Sequence, residues 1–362
     1  SYSNNVDEFT LDQIAIRNQN QVVHAKAVAL KGFSDKFSLK TGLESYLFSY
    51  EEGLKSENLV KDFDDLQANI FTEADYYVSN KLIFRGGLRS GHSTLADQTW
   101  LDPRFSLAYK FENEGQLSLA AGQFSQMPVE ELRIAKPEVQ NTIANHLILN
   151  YFLTKNGRTV RAEAFYKDYK KILTYEGSQY FYRNIQQNGS GYAQGFDVFY
   201  RDQKTVKNTD FWVTYSFVDS RRKFAQFTEM VQPGFAPRHN ASIVIKYFVS
   251  GLKSQLGGSF AINDGYTYTD PNFAGQMNAK TKGFRDLSLS WSYLPKPNLI
   301  IHFACSNVLG RDNIFGYQFS PTPNESGKYE SLPIRQTAPR FIFLGIFLTL
   351  SKDKTANNLN NL

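Results

Sequence analysis

Apolar and polar residues alternate along much of this chain with a period of two, the spacing that puts successive side chains on opposite faces of a β-strand. Over 286–294, Leu287, Leu289, Trp291 and Tyr293 fall on one face and Ser288, Ser290 and Ser292 on the other. Over 104–111, Phe105, Leu107, Tyr109 and Phe111 oppose Ser106, Ala108 and Lys110. Over 37–47, Phe37, Leu39, Thr41, Leu43 and Leu47 oppose Lys40, Gly42, Glu44 and Tyr46. In each case the second face is small or charged. A soluble sandwich buries its apolar face against another sheet, whereas a membrane barrel turns that face to lipid and lines a wet lumen with the other.

The same pattern predicts strands near 8–17, 21–33, 37–50, 66–77, 81–90, 104–112, 115–125, 142–154, 158–170, 192–201, 208–218, 240–249, 254–262, 284–294, 298–307 and 340–351, sixteen in all. Most run to about 9–13 residues, which suits a tilted strand crossing the hydrocarbon layer better than the usual soluble strand. The connections alternate in length. Short ones fall at 34–35, 78–80, 113–115, 155–157, 201–208, 250–252 and 295–297. Long ones fall near 52–65, 91–102, 126–141, 171–191, 219–239, 263–283 and 308–338. Tight turns at one end and long loops at the other are the asymmetry of outer-membrane barrels, with the tight end in the periplasm. An even strand count places both termini there too. The predicted fold is therefore all-β, a transmembrane antiparallel β-barrel over residues 1–351, with a polar periplasmic tail over 352–362. A propeller would show a recurring signature at a period of roughly 40–50 residues, and none is visible.

Composition narrows the alternatives. The chain has 362 residues, 41% hydrophobic and 15% aromatic, enough apolar surface to exclude disorder as its main state. Its 30 Phe and 21 Tyr, against 3 Trp and 3 Met, are spread along the whole length and favour strands. Mean hydropathy is only -0.42, and no apolar run approaches the roughly 18 residues of a spanning helix. The net charge of +5 comes from interspersed signs and leaves no nucleic-acid footprint. The single cysteine, Cys305, excludes an internal disulfide, and no Cys/His cluster offers a metal or cofactor site. Ser1 is preceded by no initiator Met, basic segment or apolar segment, which predicts a removed leader or a cut within a longer protein.

No catalytic constellation emerges. His24, His92, His146, His239 and His302 are scattered without ligand spacing, and no HExxH, GxSxG or phosphate-binding loop is present. The carboxylates show no paired arrangement for glycoside chemistry. The chain is read as a non-enzyme. For ligand binding the candidates are the charges placed on the lumen face, Lys40, Glu44, Arg85, Arg89, Glu163, Lys167, Asp197 and Arg201. Beside them stand the loop aromatics Tyr175, Tyr180, Phe181, Tyr266 and Tyr268. The competing structural reading is a salt-bridge ladder for the charges and interfacial girdles for the aromatics.

Local chemistry adds four expectations. Gly191 and Gly195 flank a strand entrance where the chain bends or approaches a neighbour closely. Asp197 faces the lumen beside Arg201, opposite Phe196, Val198 and Tyr200. Pro237, Arg238, His239 and Asn240 end a loop and launch a strand, because proline cannot donate within a ladder. Asn307 to Gly310 form a strand-to-loop exit.

The last strand, 341–350, has Gly345 followed by Leu348 and Leu350 at offsets of three and five. It resembles the C-terminal signal by which barrel-insertion machinery recognises its clients. The segments DPRFSLAY (102–109), AGQFSQMP (121–128), RAEAFYKDY (161–169), GYAQGFDVF (191–199), PRHN (237–240) and NVLGRDNIFGY (307–317) occur in order. Together they resemble the C-terminal barrel of TonB-dependent outer-membrane receptors, in particular SusC-like and related receptors with a carboxypeptidase-like N-terminal extension. That resemblance implies a 22-stranded barrel in the bacterial outer membrane, of which this chain supplies about sixteen strands. It also implies a plug domain, not present in this chain, that contacts the TonB system, with outer-membrane lipid and a surface lipoprotein as further partners. The function it implies is energised nutrient uptake. The strand count alone also fits a free-standing 16-stranded porin, and the same fold serves as a subunit of outer-membrane assembly or secretion complexes.

Overall fold

The computed structural model describes residues 1–11, 14–54, 59–112, 114–177, 181–296 and 298–350. The chain opens with β1 (Tyr2–Leu11), β2 (Ile14–Ser34), β3 (Phe37–Leu54), β4 (Leu59–Tyr77), β5 (Leu82–Ser93), β6 (Gln98–Lys110) and β7 (Gln116–Gln126). A short helix, α1 (Glu130–Ala135), precedes β8 (Thr142–Lys155), β9 (Arg158–Glu176), β10 (Arg183–Asp202), β11 (Thr209–Lys223), β12 (His239–Val249) and β13 (Ser254–Asn263). Within the next loop β14 (Thr267–Tyr268) pairs with β15 (Ala279–Lys280). Then come β16 (Arg285–Lys296), β17 (Leu299–Ser306), the loop hairpin of β18 (Ile314–Phe319) with β19 (Ser331–Arg335), and β20 (Phe341–Leu348). Sixteen of these strands form one sheet in the order β1 to β13, β16, β17, β20, antiparallel throughout. The strand number is as the alternation predicts.

Register assigns every side chain to a face. On β3, Glu44 stands across from Lys26 of β2 and Asn69 of β4, and the same row continues through Gly91 of β5 to Trp100 of β6. This is the polar, inward face. One residue away, Leu43 stands across from Ala27 and Ile70 on the other. Burial is inverted relative to a soluble protein: Leu43 is 61% and Leu147 50% exposed, whereas Glu44 is 6% and Asp65 0% exposed. A contiguous apolar exterior around a polar interior is the arrangement that a bilayer stabilises. No helix among the described residues is long and apolar enough to cross a membrane.

Several boundaries differ from the sequence reading. The polar run 18–21 does not turn the chain: Asn18 lies inside β2, across from Asp7 of β1 and Glu52 of β3. Residues 12–13, between β1 and β2, lie outside the described residues. Strands β2, β3 and β4 contain 21, 18 and 19 residues. Only about 9–11 residues are needed to cross hydrocarbon, so the rest rises beyond the membrane, where the outward face meets water instead of lipid and the alternation fades. For the same reason the loops predicted at 52–65 and 171–191 are largely strand, β9 running to Glu176 and β10 starting at Arg183. Gly191 and Gly195 sit within β10 rather than at its entrance. A Cβ at Gly195 would lie 1.9 Å from the Phe217 carbonyl oxygen of β11, so close strand approach is what those glycines allow. Pro295 and Lys296 belong to β16, while Pro297 and the tail 352–362 lie outside the described residues.

Candidate functional site

The inner wall is built from the alternate residues of consecutive strands, so each functional side chain is placed by register. One dense cluster surrounds Glu44. One carboxylate oxygen accepts from Lys26 Nζ and Tyr46 Oη, each at 3.1 Å, and meets His24 Nε2 at the same distance. Arg89 approaches the other oxygen at 2.7 Å. The His24 ring stacks on Tyr46 at 4.4 Å and 9°. The converging donors satisfy this enclosed carboxylate, and the cluster ties β2, β3 and β5 together.

The other predicted wall residues resolve into local pairs. Arg85 forms a two-pronged contact with Asp75 at 2.5 and 2.9 Å. Arg201 does the same with Asp210 at 2.8 and 2.6 Å. Glu163 accepts from Arg161 at 2.8 Å and Asn150 at 3.1 Å. Asp197 accepts from Ser216 on the inward face, as alternation predicts. Lys40 stands across from Glu73, and it lines a wall cavity of about 240 Å³ with Lys26, Phe71, Arg89 and Arg104. Lys167 lies 5.2 Å from the Phe165 ring. The salt-bridge ladder therefore accounts for Arg85, Glu163 and Arg201, and it leaves Lys167 outside.

The loop aromatics pack on one another. The Tyr266 hydroxyl accepts from Asn263 at 2.9 Å and its ring lies 5.8 Å from Phe315. Tyr268 lies 4.8 Å from Tyr317, holding the β14–β15 and β18–β19 hairpins together. At the root of this layer Asp264 receives Lys280 and the His239 backbone N–H. Partial burial works to raise its carboxyl pKa, yet these donors outweigh it and hold the group below the usual carboxylate value. Tyr175 meets Tyr182 at 4.8 Å, Phe181 is partly exposed, and Tyr180 lies outside the described residues. In the last strand Gly345 faces the lumen across from His302, Leu348 faces outward as the final strand residue, and Leu350 lies beyond it.

One feature carried no sequence signal. The connection 127–141 folds back inside the wall instead of standing above it. On its short helix Arg133, 4% exposed, ion-pairs with fully buried Asp65 of β4. The guanidinium also lies over Phe63 at 4.7 Å and Phe48 at 5.7 Å. Asp65 further accepts from Ser93 at 2.8 Å, Gln67 at 3.0 Å and the Leu95 N–H at 3.1 Å. At the opposite side Leu132 and Val139 pack with Leu173 of β9 and Ile185 of β10. Gln187 clasps Gln140 in both directions at 2.8 and 2.7 Å. The segment is thus a strap across the inner wall from β4 to β10. Beneath it lies a cavity of about 360 Å³ lined by Phe48, Gln67, Asn69, Arg89, Trp100 and Met127. Six helical residues are too few to show a 3.6 period, so the strap reads as plain loop in the sequence.

What this arrangement offers chemically is a polar, cavity-bearing wall whose charged and hydrogen-bonding groups can hold a polar solute. Known structures share the fold. The copper transporter OprC superposes with a TM-score of 0.71 at 12% identity, covering 92% of this chain and 57% of OprC. The FrpB iron transporter of Neisseria meningitidis gives 0.70 at 12% identity, covering 92% and 55%. The ferric yersiniabactin uptake receptor FyuA of Yersinia pestis gives 0.69 at 11% identity, covering 96% and 57%. The chain thus spans a little over half the length of these transporters and this uptake receptor. No curated protein matches it in sequence. The family model described as TonB dependent receptor-like, beta-barrel matches residues 33–308, and the chain belongs to that family.

Proposed function

We propose that this chain forms most of the barrel of an outer-membrane receptor for energised nutrient uptake. The observation that carries the reading is the polar inner wall, with its strap and cavities, in a chain of the TonB-dependent receptor family. In this reading the barrel spans residues 1–351, further strands and a plug complete it, and the TonB system acts on the plug. Both sheet ends favour completion by more strands. β1 pairs only with β2, and β20 only with β17, among the described residues, so each leaves one edge open. Within this reading the inward charges Lys40, Glu44, Arg85, Arg89, Glu163, Lys167, Asp197 and Arg201 line the solute path. Tyr266 and Tyr268 shape its outer mouth. Gly345, Leu348 and Leu350 present the last strand to the insertion machinery.

The test is genetic and quantitative. Deleting the gene, and separately the gene for TonB, should abolish uptake of the same solute. Uptake that survives loss of TonB would overturn energised import.

The sixteen-strand sheet favours one second reading, a porin for passive diffusion. Planar-bilayer conductance separates the two: a porin gives stable open channels, a plugged receptor stays closed. A SusC-like assignment further requires a surface lipoprotein that copurifies with the receptor.

A further inference from the structure

The inward charges fall into two groups. Lys26 and Arg89 converge on Glu44, Arg85 on Asp75, Arg133 on Asp65, Arg161 on Glu163 and Arg201 on Asp210. Lys40, Arg222 and Lys246 have no carboxylate within ion-pair distance among the described residues, and neither have Arg104, His146 and Lys167. Register brings the last three onto one row. Arg104 of β6 is paired with Gly122 of β7, Gly122 with His146 of β8, and His146 with Lys167 of β9. Beyond Lys167 the row continues through Ala193 and Ser220, so the wall beside it is low.

The row is shaped as well as charged. Arg104 lies over the Phe124 ring at 4.4 Å, and His146 packs against the same ring at 4.7 Å. Lys167 leans on Phe165. Aromatic backing holds Arg104 and Lys167 in place without neutralising them. A cavity of about 210 Å³ opens here, lined by Arg104, His146, Gly87, Gly122, Ser106 and Ala120. Gly122 keeps it open: a Cβ there would lie 3.2 Å from Arg104 Cγ and 3.3 Å from the Pro103 carbonyl oxygen. Glu73 and Arg85 close the far rim, 3.7 Å apart, with Arg85 already committed to Asp75. Arg104 is therefore the free charge of the cavity, and Lys167 adjoins it.

We infer that this row is an anion subsite on the solute path, fitted to a small polyanion such as a polycarboxylate or a phosphate ester. The inference rests on the lumen being the solute path and deepens that reading by naming a ligand class. Strand spacing puts Arg104 and Lys167 about 14 Å apart at their Cα atoms, a gap that their side chains narrow from both ends. A ligand with two or more anionic groups can engage both, while the concave glycine floor admits its body.

Calorimetry on the full chain in detergent, with citrate and inorganic phosphate as probes and sucrose as the neutral control, tests this without requiring uptake. Citrate should bind, with affinity falling as salt rises, and sucrose should not. Arg104→Gln and Lys167→Gln should each weaken citrate binding about tenfold, the loss of one charge-assisted hydrogen bond. Lys246→Gln, the same charge change on another strand, should leave it unchanged, and heat-modifiable gel mobility confirms that each variant is folded. Absence of citrate binding, equal binding of sucrose, or citrate binding indifferent to both glutamine variants in folded protein would overturn the subsite. The first result is also the one expected if a protein carboxylate already occupies the row. Citrate binding that persists while TonB-dependent uptake fails would overturn the import reading and leave the subsite standing.

Discussion

Leu43 and Glu44 are consecutive residues of β3, yet they are placed in different solvents. Leu43 presents a mostly exposed isobutyl group beside Ala27 and Ile70. Glu44 is enclosed by Lys26, His24, Tyr46 and Arg89. The contrast repeats around the sheet. Outward positions need only be apolar, so they are interchangeable in kind, whereas inward positions are tied to particular partners. The outer face thus reports that the protein meets lipid. The inner face carries whatever is specific to this chain.

The largest effect that separates the faces is expected at the strap. Arg133→Ala leaves Asp65 buried without its cation, which costs about 3–5 kcal/mol of docking. Hydrogen exchange over 127–141 should accelerate strongly while the spanning strands keep their protection. Equal protection in the variant would mean that the strap is held by the Leu132–Val139 contacts alone.

On the outer face, Leu43→Arg should cost about 2–4 kcal/mol near the bilayer midplane, read as a lower urea midpoint for folding into lipid vesicles. Ser38→Arg, inward on the same strand, should cost little. Matching losses at both sites would dissolve the contrast.

A smaller effect tests the packing behind the strap cavity. A Cβ on Gly91 would fall 2.2 Å from Trp100 Cζ2 and 2.4 Å from Asn69 Oδ1. Gly91→Ala should therefore cost about 1–3 kcal/mol and shift the Trp100 fluorescence, whereas Gly32→Ala, with open space around it, should do neither.

The smallest effect concerns the outer loops. Asp264 has a folded pKa below its unfolded value, so it contributes stability above the unfolded pKa of about 3.9 and loses it as pH falls through the folded one. Protease nicking within 264–284 should rise below about pH 4 and stay flat from there to neutrality. Asp264→Asn should remove that dependence.

How much of this was legible in the sequence follows from the same contrast. Within the membrane the two faces differ in solvent, so alternation marked Leu287 to Tyr293 and Phe37 to Leu47 cleanly, and the sixteen strands followed. Outside it, Asn18 to Gln21, Glu51 to Gly53 and Val60 to Asp64 have no lipid on their outward face to select apolar residues, and strand there looks like loop. Inward residues were recognisable as a class, but partners three or four strands apart were not. Lys167 was marked as a candidate, whereas Arg104 and His146 became part of one row only once register joined them through Gly122. Arg133 lies 68 residues from Asp65, and no local pattern links them.

The three tryptophans test the central claim most directly, because register places Trp100 and Trp212 on the inner face and Trp291 on the outer one. In single-tryptophan variants reconstituted with brominated acyl chains, fluorescence from Trp291 should be strongly quenched, and that from Trp100 and Trp212 should barely change. Quenching of Trp100 or Trp212 as deep as that of Trp291 would contradict a barrel whose polar face lines the lumen.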